Sequence, residues 1–544
     1  MARRKDGPCQ SQRRFLLCAV LVLMSGPEVR AWQGRDAASG VDPVPVSQRA
    51  STPDAPGQDL PARPIALVQA MGDPPVDPAV DPEDAETVVD PEAGPDPLRR
   101  REVLASSLRH MPRILEAMAE YRAAQGDVVS AMGAFDLMVK SDGFARTTGF
   151  YNGRVVNGEV RQNLGPFGAE VYGGYRISGG NFPIYEDINF TNEIGEAKIG
   201  FVLSLLRDRD IDQRRGDIRR SRIQREQAEI EVLLTQVGVQ HQALTSYLNW
   251  VAQGLQLDIY RGLLDLAERR QSALTRRVQA GDAAAILLTE NRQNLARRAT
   301  LVAQSERDFT NAGLILAQYY RDARGQPRTP EAQRAPANFP DVDPDVLNQV
   351  NADIRRAKTA RPELALIDAS LDQARLDLAL GRNELRPKLT FGTEFSTDIG
   401  PEDLGGSSFD SEDTKLQFSF SMPLQRRFAE GRISRAKAEM DALRYRRQFT
   451  AERIELEVRR LVNDLRAATE TVRLARQEVD QAQAMQAAER RRFEEGGSDF
   501  FLVNRREEAT ADAQVRLADA QLQYFRALAN YQAATANLEA LGIR

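Results

Sequence analysis

Along residues 432–495 the apolar positions recur at alternating spacings of four and three. Ile454, Val458, Leu461, Leu465, Ala468, Val472, Ala475, Val479 and Ala482 form one seam. Spacing of this kind has a period of 3.5 residues and marks helices packed side by side along their length. The stretch contains neither glycine nor proline, so the pattern predicts a single helix roughly 96 Å long. Alanine is frequent in the seam and lets neighbouring helices approach closely. Gly496-Gly497 then breaks the rod. Beyond the break the alternation resumes through Leu517, Ala520, Tyr524, Ala527, Tyr531, Ala534, Leu538 and Leu541. The chain therefore goes out along one helix (432–495) and returns along another (498–541).

The same unit occurs earlier in the chain. Gly216 and Gly281 are separated by the same interval as Gly431 and Gly496. Between the first pair, Ile230, Leu234, Val237, His241, Leu244, Leu248, Val251 and Leu255 carry a matching seam. This predicts a long helix over 217–280 and a return helix over 282–324. A long period repeated twice decides the fold more than any local motif does. Two tandem repeats result, 98–325 and 346–544. They are joined by a connector over 326–345 that holds Pro327, Pro330, Pro336, Pro340 and Pro344, through which no helix propagates.

Each long helix is preceded by residues that alternate with period two. Leu389, Phe391, Thr393 and Phe395 alternate with polar or small residues. After an acidic loop containing Gly405-Gly406, so do Leu416, Phe418, Phe420 and Met422. In the first repeat, residues 171–177 and 197–205 occupy the equivalent places. Strands are thus expected over about 144–205 and 388–424. Each run has the length of a tilted membrane-crossing strand. Tyr172, Tyr175, Phe182, Tyr185 and Phe190 are candidates for an interfacial aromatic girdle. Residues 141–168 have no counterpart in the second repeat and suggest an additional small hairpin. Four clear strands cannot close a barrel, and open strand edges are not viable in lipid. If these strands enter a membrane, several chains must share one barrel; a soluble hairpin capping the coiled coil would show the same alternation. A helix is expected over about 98–138, with its counterpart beginning near Arg361-Pro362-Glu363-Leu364.

Composition adds the compartment. The basic residues Arg3, Arg4, Lys5, Arg13 and Arg14 precede an apolar run over 15–24, and Val29-Arg30-Ala31 fits a cleavage site, so 1–31 reads as a secretory signal. Both cysteines, Cys9 and Cys18, fall within it, and the processed chain would hold no thiol. Residues 32–97 are rich in Pro and Asp and too poor in apolar residues for a core, which reads as a disordered linker. Net charge is only −5 with 28% charged residues, which suits long solvated helices rather than nucleic-acid binding. Of the two histidines, His241 lies in a helical seam, where a polar residue sets register, and His110 has no clustered partner. Neither makes a metal site. No nucleophile constellation or phosphate loop is present, so neither an enzyme nor a cofactor is expected. The Arg and Glu on the rods read as a solvated face with exposed ion pairs.

The order helix, strand, loop, strand, long helix, tip and returning helix, given twice after a signal, resembles the TolC-type outer-membrane efflux proteins. The motifs carrying this are Arg361-Pro362-Glu363-Leu364, Leu385-Arg386-Pro387-Lys388-Leu389, Met422-Pro423-Leu424 before Gly431, and Leu517-Ala518-Asp519-Ala520 with Tyr524. The resemblance implies a mainly α protein with membrane β structure. It implies a homotrimer in the outer membrane of a Gram-negative bacterium, each chain giving four strands to one twelve-stranded barrel and four helical rods to a periplasmic tunnel. It further implies docking on a periplasmic adaptor and an inner-membrane pump, or on a type I secretion apparatus. The matching docking tips are Arg277, Ala280, Gly281 and Asp282 in the first repeat, and Arg492, Phe493, Gly496, Gly497, Ser498 and Asp499 in the second. Several family members narrow the periplasmic entrance with aspartates. Here Leu502 and Arg505 occupy those positions, so either a ring of arginines favours anions, or Arg505 faces away or pairs with Glu508 or Asp499. Two other readings are a periplasmic adaptor, which would carry a β-rich domain beside a single hairpin, and a soluble coiled-coil scaffold, which has no use for ten-residue alternating segments.

Overall fold

The computed structural model describes residues 96–401 and 412–543. The signal, nearly all of the linker and Gly405-Gly406 lie outside the described residues. The first repeat runs α1 (Arg100–His110), α2 (Pro112–Met132), β1 (Met138–Ala145), β2 (Arg154–Asn163), β3 (Glu170–Gly179), β4 (Gly195–Ser204), α3 (Gln213–Gln279) and α4 (Ile286–Leu316). The second runs α5 (Val350–Ala360), α6 (Pro362–Glu384), β5 (Lys388–Ile399), β6 (Asp413–Ser421), α7 (Arg427–Glu494) and α8 (Phe500–Ala534). At 67 and 68 residues, α3 and α7 are each about 100 Å long.

In the first repeat the helix expected over about 98–138 is broken after His110 into α1 and α2, whereas in the second α6 begins at Pro362, where the counterpart helix was expected to begin. Pro112 and Pro362 both stand at the first position of a new helix, and Met111 and Arg361 before them are extended. A proline forces its predecessor out of the helical region, and its own missing N–H costs nothing in a first turn. The return helices are also shorter than expected, ending at Leu316 and Ala534 rather than at the later glycines.

Burial follows the seam in α7: Ile454, Val458, Leu461, Leu465, Val472, Ala475 and Val479 are all buried, against Ala520, Tyr524, Ala527 and Tyr531 of α8. In α3 the expected seam fails at Leu234, which is exposed, while Val232, Gln236, Val239 and Gln240 are buried. The cause is that α3 packs against α1, α2, α4, α6 and α8, so no single stripe describes its contacts. Trp250 anchors this region, stacked on Phe309 at 5.7 Å. His241 bonds Asn530 through Nε2 at 2.6 Å, which ties α3 to α8.

The strands form one antiparallel sheet in the order β1-β2-β3-β4-β5-β6. Among the described residues there are thus six strands: the additional hairpin expected within 141–168 is present as β1–β2 and pairs with β3, which takes the sheet beyond the four strands per chain that the resemblance implies. Residues opposite one another in an antiparallel ladder share a face, so the register assigns every side chain to one of two faces. One carries Val139, Val160, Val156, Val171, Ile177, Ile199, Phe201, Phe391, Phe395, Leu416, Phe418 and Phe420. The other carries Lys140, Asp142, Glu159, Arg161, Arg176, Glu196, Lys198, Glu394 and Lys415. The charged face is laced by ion pairs Arg161–Glu159, Lys198–Glu159 and Lys415–Glu394 at 2.7, 3.6 and 3.7 Å. Tyr172 lies on this face, donating to Glu394 at 2.9 Å across Gly200. It therefore does not join a girdle on the apolar side. Phe182 is buried in the β3–β4 loop against Phe190 and Phe144; Tyr175 and Tyr185 remain exposed.

All four helix–strand junctions lie at one end of the rods, opposite the tips, and side chains bind the repeats together there. Asn383 at the end of α6 accepts from the Asp208 N–H at 2.9 Å and donates to the Asp208 carboxylate at 2.8 Å. Arg386 meets Asp210 at 2.7 Å. Pro387 then ends the helix and opens β5, which is the structural content of the Leu385–Leu389 motif.

Candidate gate and docking tips

The two tips are built alike. The N–H of Asp282 bonds the Arg277 carbonyl at 2.9 Å, and the Gly281 N–H bonds Val278 at 3.1 Å. In the second repeat Gly497 bonds Arg492 at 2.8 Å, and Gly496 bonds Phe493 at 3.1 Å. These paired bonds close a helix end on a residue of positive φ, and Gly281 (φ 80°) and Gly496 (φ 78°) supply it. Arg277, Ala280, Gly281 and Asp282 are exposed, and the side chains of Arg277 and Asp282 make no ion pair among the described residues. At the second tip Arg492 reaches the Gly497 carbonyl at 3.1 Å and Glu489 at 3.5 Å. Ser498 donates to Glu489. Asp499 caps α8 by accepting from the Leu502 N–H at 2.7 Å. Phe493 is half-buried. The first tip thus leaves its charges free, whereas the second uses most of them internally.

Leu502 is half-buried and Arg505 is exposed. Arg505 makes no ion pair among the described residues: Glu508 is engaged by Arg297 at 3.4 Å, and Asp499 is committed to its cap. Neither expected partner of Arg505 is used.

Beside Arg505 on α8 lies a cluster that sequence reasoning missed. Glu507, 5% exposed, receives Arg298 of α4 at 3.1 Å and Arg270 of α3. Arg298 is 1% exposed and also donates to the Leu263 carbonyl at 2.8 Å. Arg270 bonds Asn504 and covers the Phe500 ring at 5.3 Å. Asn291 of α4 donates to Ala267 at 3.2 Å and Gln271 at 2.7 Å. Burial pushes the Arg298 guanidinium below its usual range, and Glu507 opposes that shift. Three polar atoms here, Arg298 Nε, Asn291 Oδ1 and Asn504 Nδ2, are buried without a partner. Close to the tips, a buried carboxylate of α8 therefore joins both helices of the first hairpin, in a cluster whose polar atoms are incompletely satisfied. Both arginines and the glutamate fit a helical charge pattern that reads as solvated, and only the three-dimensional crossing of α3, α4 and α8 reveals the cluster.

Among the described residues no helix is long and apolar enough to cross a bilayer, and no group of three or more His, Cys, Asp or Glu could hold a metal ion.

Residues 354–541 match the sequence profile of the outer membrane efflux proteins. No curated protein matches the chain. Among solved structures it is similar to the outer-membrane channel OprN, with a TM-score of 0.55 and 16% identity over 80% of this chain and 89% of that one. It is also similar to VceC of Vibrio cholerae (TM-score 0.54, 15% identity, 80% and 95% covered). For the CmeC outer membrane channel of Campylobacter jejuni the values are 0.53, 14%, 80% and 85%. Identities this low carry the fold, not its cargo.

Proposed function

We start from the membership of this chain, through its second repeat, in the outer membrane efflux protein family, and propose that it forms the outer-membrane duct of a tripartite efflux or type I secretion system. The chain is a channel protein rather than an enzyme. Three copies close one barrel in the outer membrane and extend twelve helical columns across the periplasm, where the tips meet a periplasmic adaptor and an inner-membrane pump. Cargo passes unchanged.

The observation that carries this reading is the sheet with one apolar and one charged face. A lipid-facing surface must be apolar, and a water-filled lumen accepts charge. The helices supply independent support for self-association. On α7, Tyr445, Phe449, Leu456, Leu474 and Met485 are exposed, by 73, 65, 64, 50 and 45%. At 3.6 residues per turn they fall within about 40° of one another, on the side opposite the buried seam. An apolar stripe over residues 445–485 of the rod marks a contact surface. A solvated scaffold needs no such stripe, and an adaptor has no use for the two-faced sheet. The Glu507 cluster serves as the latch of the periplasmic gate, released when the hairpins shift.

Purified protein in a planar bilayer tests this reading. A salt gradient is expected to reveal anion preference, because three exposed Arg505 side chains narrow the periplasmic end. Arg505→Asp is expected to reverse it. Cation preference in the unaltered protein, unmoved by the substitution, would remove Arg505 from the pore.

A further inference from the structure

The sheet has two open edges, β1 and β6, and on both every residue is exposed. We propose that β6 of one copy pairs with β1 of the next, so that three chains close a barrel of eighteen strands. This inference rests on the trimeric channel reading above and fixes which surfaces meet within it.

Five observations lead to it. The edge of β3 that a four-stranded subunit would offer to its neighbour is taken: Arg154–Asn163 pairs with Glu170–Gly179 along all of both strands. The β1–β2 hairpin also continues the division of the sheet. Val139, Val156 and Val160 extend the apolar face, while Lys140, Asp142, Asn157, Glu159 and Arg161 extend the charged one; only beside the β1–β2 turn does the division lapse, with Arg154 on the first face and Phe144 and Val155 on the second. A hairpin lying outside the barrel in water would have no cause to keep lipid-compatible and lumen-compatible sides in phase with β3. It is joined through the charged face as well, by the contacts of Arg161 with Glu170 and of Lys198 with Glu159.

Direction agrees. Six alternating strands leave β6 antiparallel to β1 of the following copy, as the ladder requires. Polarity agrees too: on β6, Leu416, Phe418 and Phe420 face one side and Lys415 and Gln417 the other, matching Val139 and Lys140 on β1. Unpaired edges are not tolerated in lipid, so both must find partners. A second copy presents the complementary one.

The consequence is a wider passage. With strands about 4.8 Å apart and tilted by about 40°, the backbone radius grows from about 12 Å for twelve strands to about 18 Å for eighteen. The circumference becomes about 113 Å, within the roughly 96–120 Å of twelve helices packed 8–10 Å apart. The duct then need not narrow where helices give way to strands.

Paired cysteines on the charged face test the closure in the full chain, with Cys9 and Cys18 changed to serine. Gln417→Cys is combined with Lys140→Cys or Asp142→Cys on β1 in one set. In the other set it is combined with Tyr172→Cys or Arg176→Cys on β3. A disulfide needs Cα atoms about 4.4–6.8 Å apart. After mild oxidation of membranes, the β1 set is expected to move most of the chain to two and three times its mass on denaturing gels, leaving the β3 set monomeric. Cross-linking in the β3 set, or in neither set of a protein that is trimeric by light scattering, overturns the eighteen-stranded closure alone. A monomer by light scattering overturns that closure together with the trimer.

Discussion

Replacing Glu507 with alanine is expected to cost the helical bundle about 3–5 kcal/mol per chain, the usual loss when one partner of a buried pair is removed. Arg298 and Arg270 would then share a site between α3, α4 and α8 with no carboxylate, and Arg298 is too enclosed to reach water. Glu508→Ala is the contrasting change one residue away. Its partner Arg297 is 65% exposed, so the expected cost is below about 1 kcal/mol. Denaturant unfolding of the purified protein separates the two. Because Glu507 joins the hairpins near the tips, its loss is also expected to raise resting conductance, while Glu508→Ala leaves it unchanged. Equal midpoints and equal conductance for the two variants would show that the buried cluster holds nothing together.

The second large effect belongs to the sheet. Ile199 lies near the middle of β4 on the apolar face and is 59% exposed in the single chain. Ile199→Arg is expected to cost about 2–4 kcal/mol if that face meets lipid at mid-depth. The cost recurs in every copy of a shared barrel, so the yield of assembled protein in outer membranes should collapse. Gln417→Arg, on the charged face of β6, adds the same side chain to the lumen and is expected to assemble almost normally. Quantifying trimer in fractionated membranes reads both. Normal assembly of the Ile199 variant would place that face in water.

The parts of this protein that could be read from the sequence are those in which one local period runs unopposed. The α7 seam from Ile454 to Val479 packs mainly on α8 and α6, and its burial follows the spacing. The seam of α3 misleads around Leu234 because a rod touching five helices is buried on several sides at once. The tips were legible because only glycine accepts positive φ cheaply at a helix end, and Gly281 and Gly496 stand at matching positions. The hairpin β1–β2 was underread as a small addition. On β1 the outward positions after Val139 are Ser141, Gly143 and Ala145, too small to announce an apolar face until β2 and β3 are laid beside them. Least visible was Glu507. Its partners are 209 and 237 residues away, and on a helix rich in Arg and Glu a buried carboxylate has the same letter as a solvated one.

The central claim is that the two faces of the sheet meet lipid and water respectively, and spin labels placed singly at positions 197–199 and 201–203 of β4 in membrane-inserted protein test it most directly. Labels at Ala197, Ile199, Phe201 and Leu203 should be relaxed mainly by oxygen, which concentrates in lipid. Those at Lys198 and Val202, on either side of the Gly200 that Tyr172 covers, should be relaxed mainly by a water-soluble nickel complex, so that accessibility alternates with period two. Nickel access at every position, with no alternation, would contradict it.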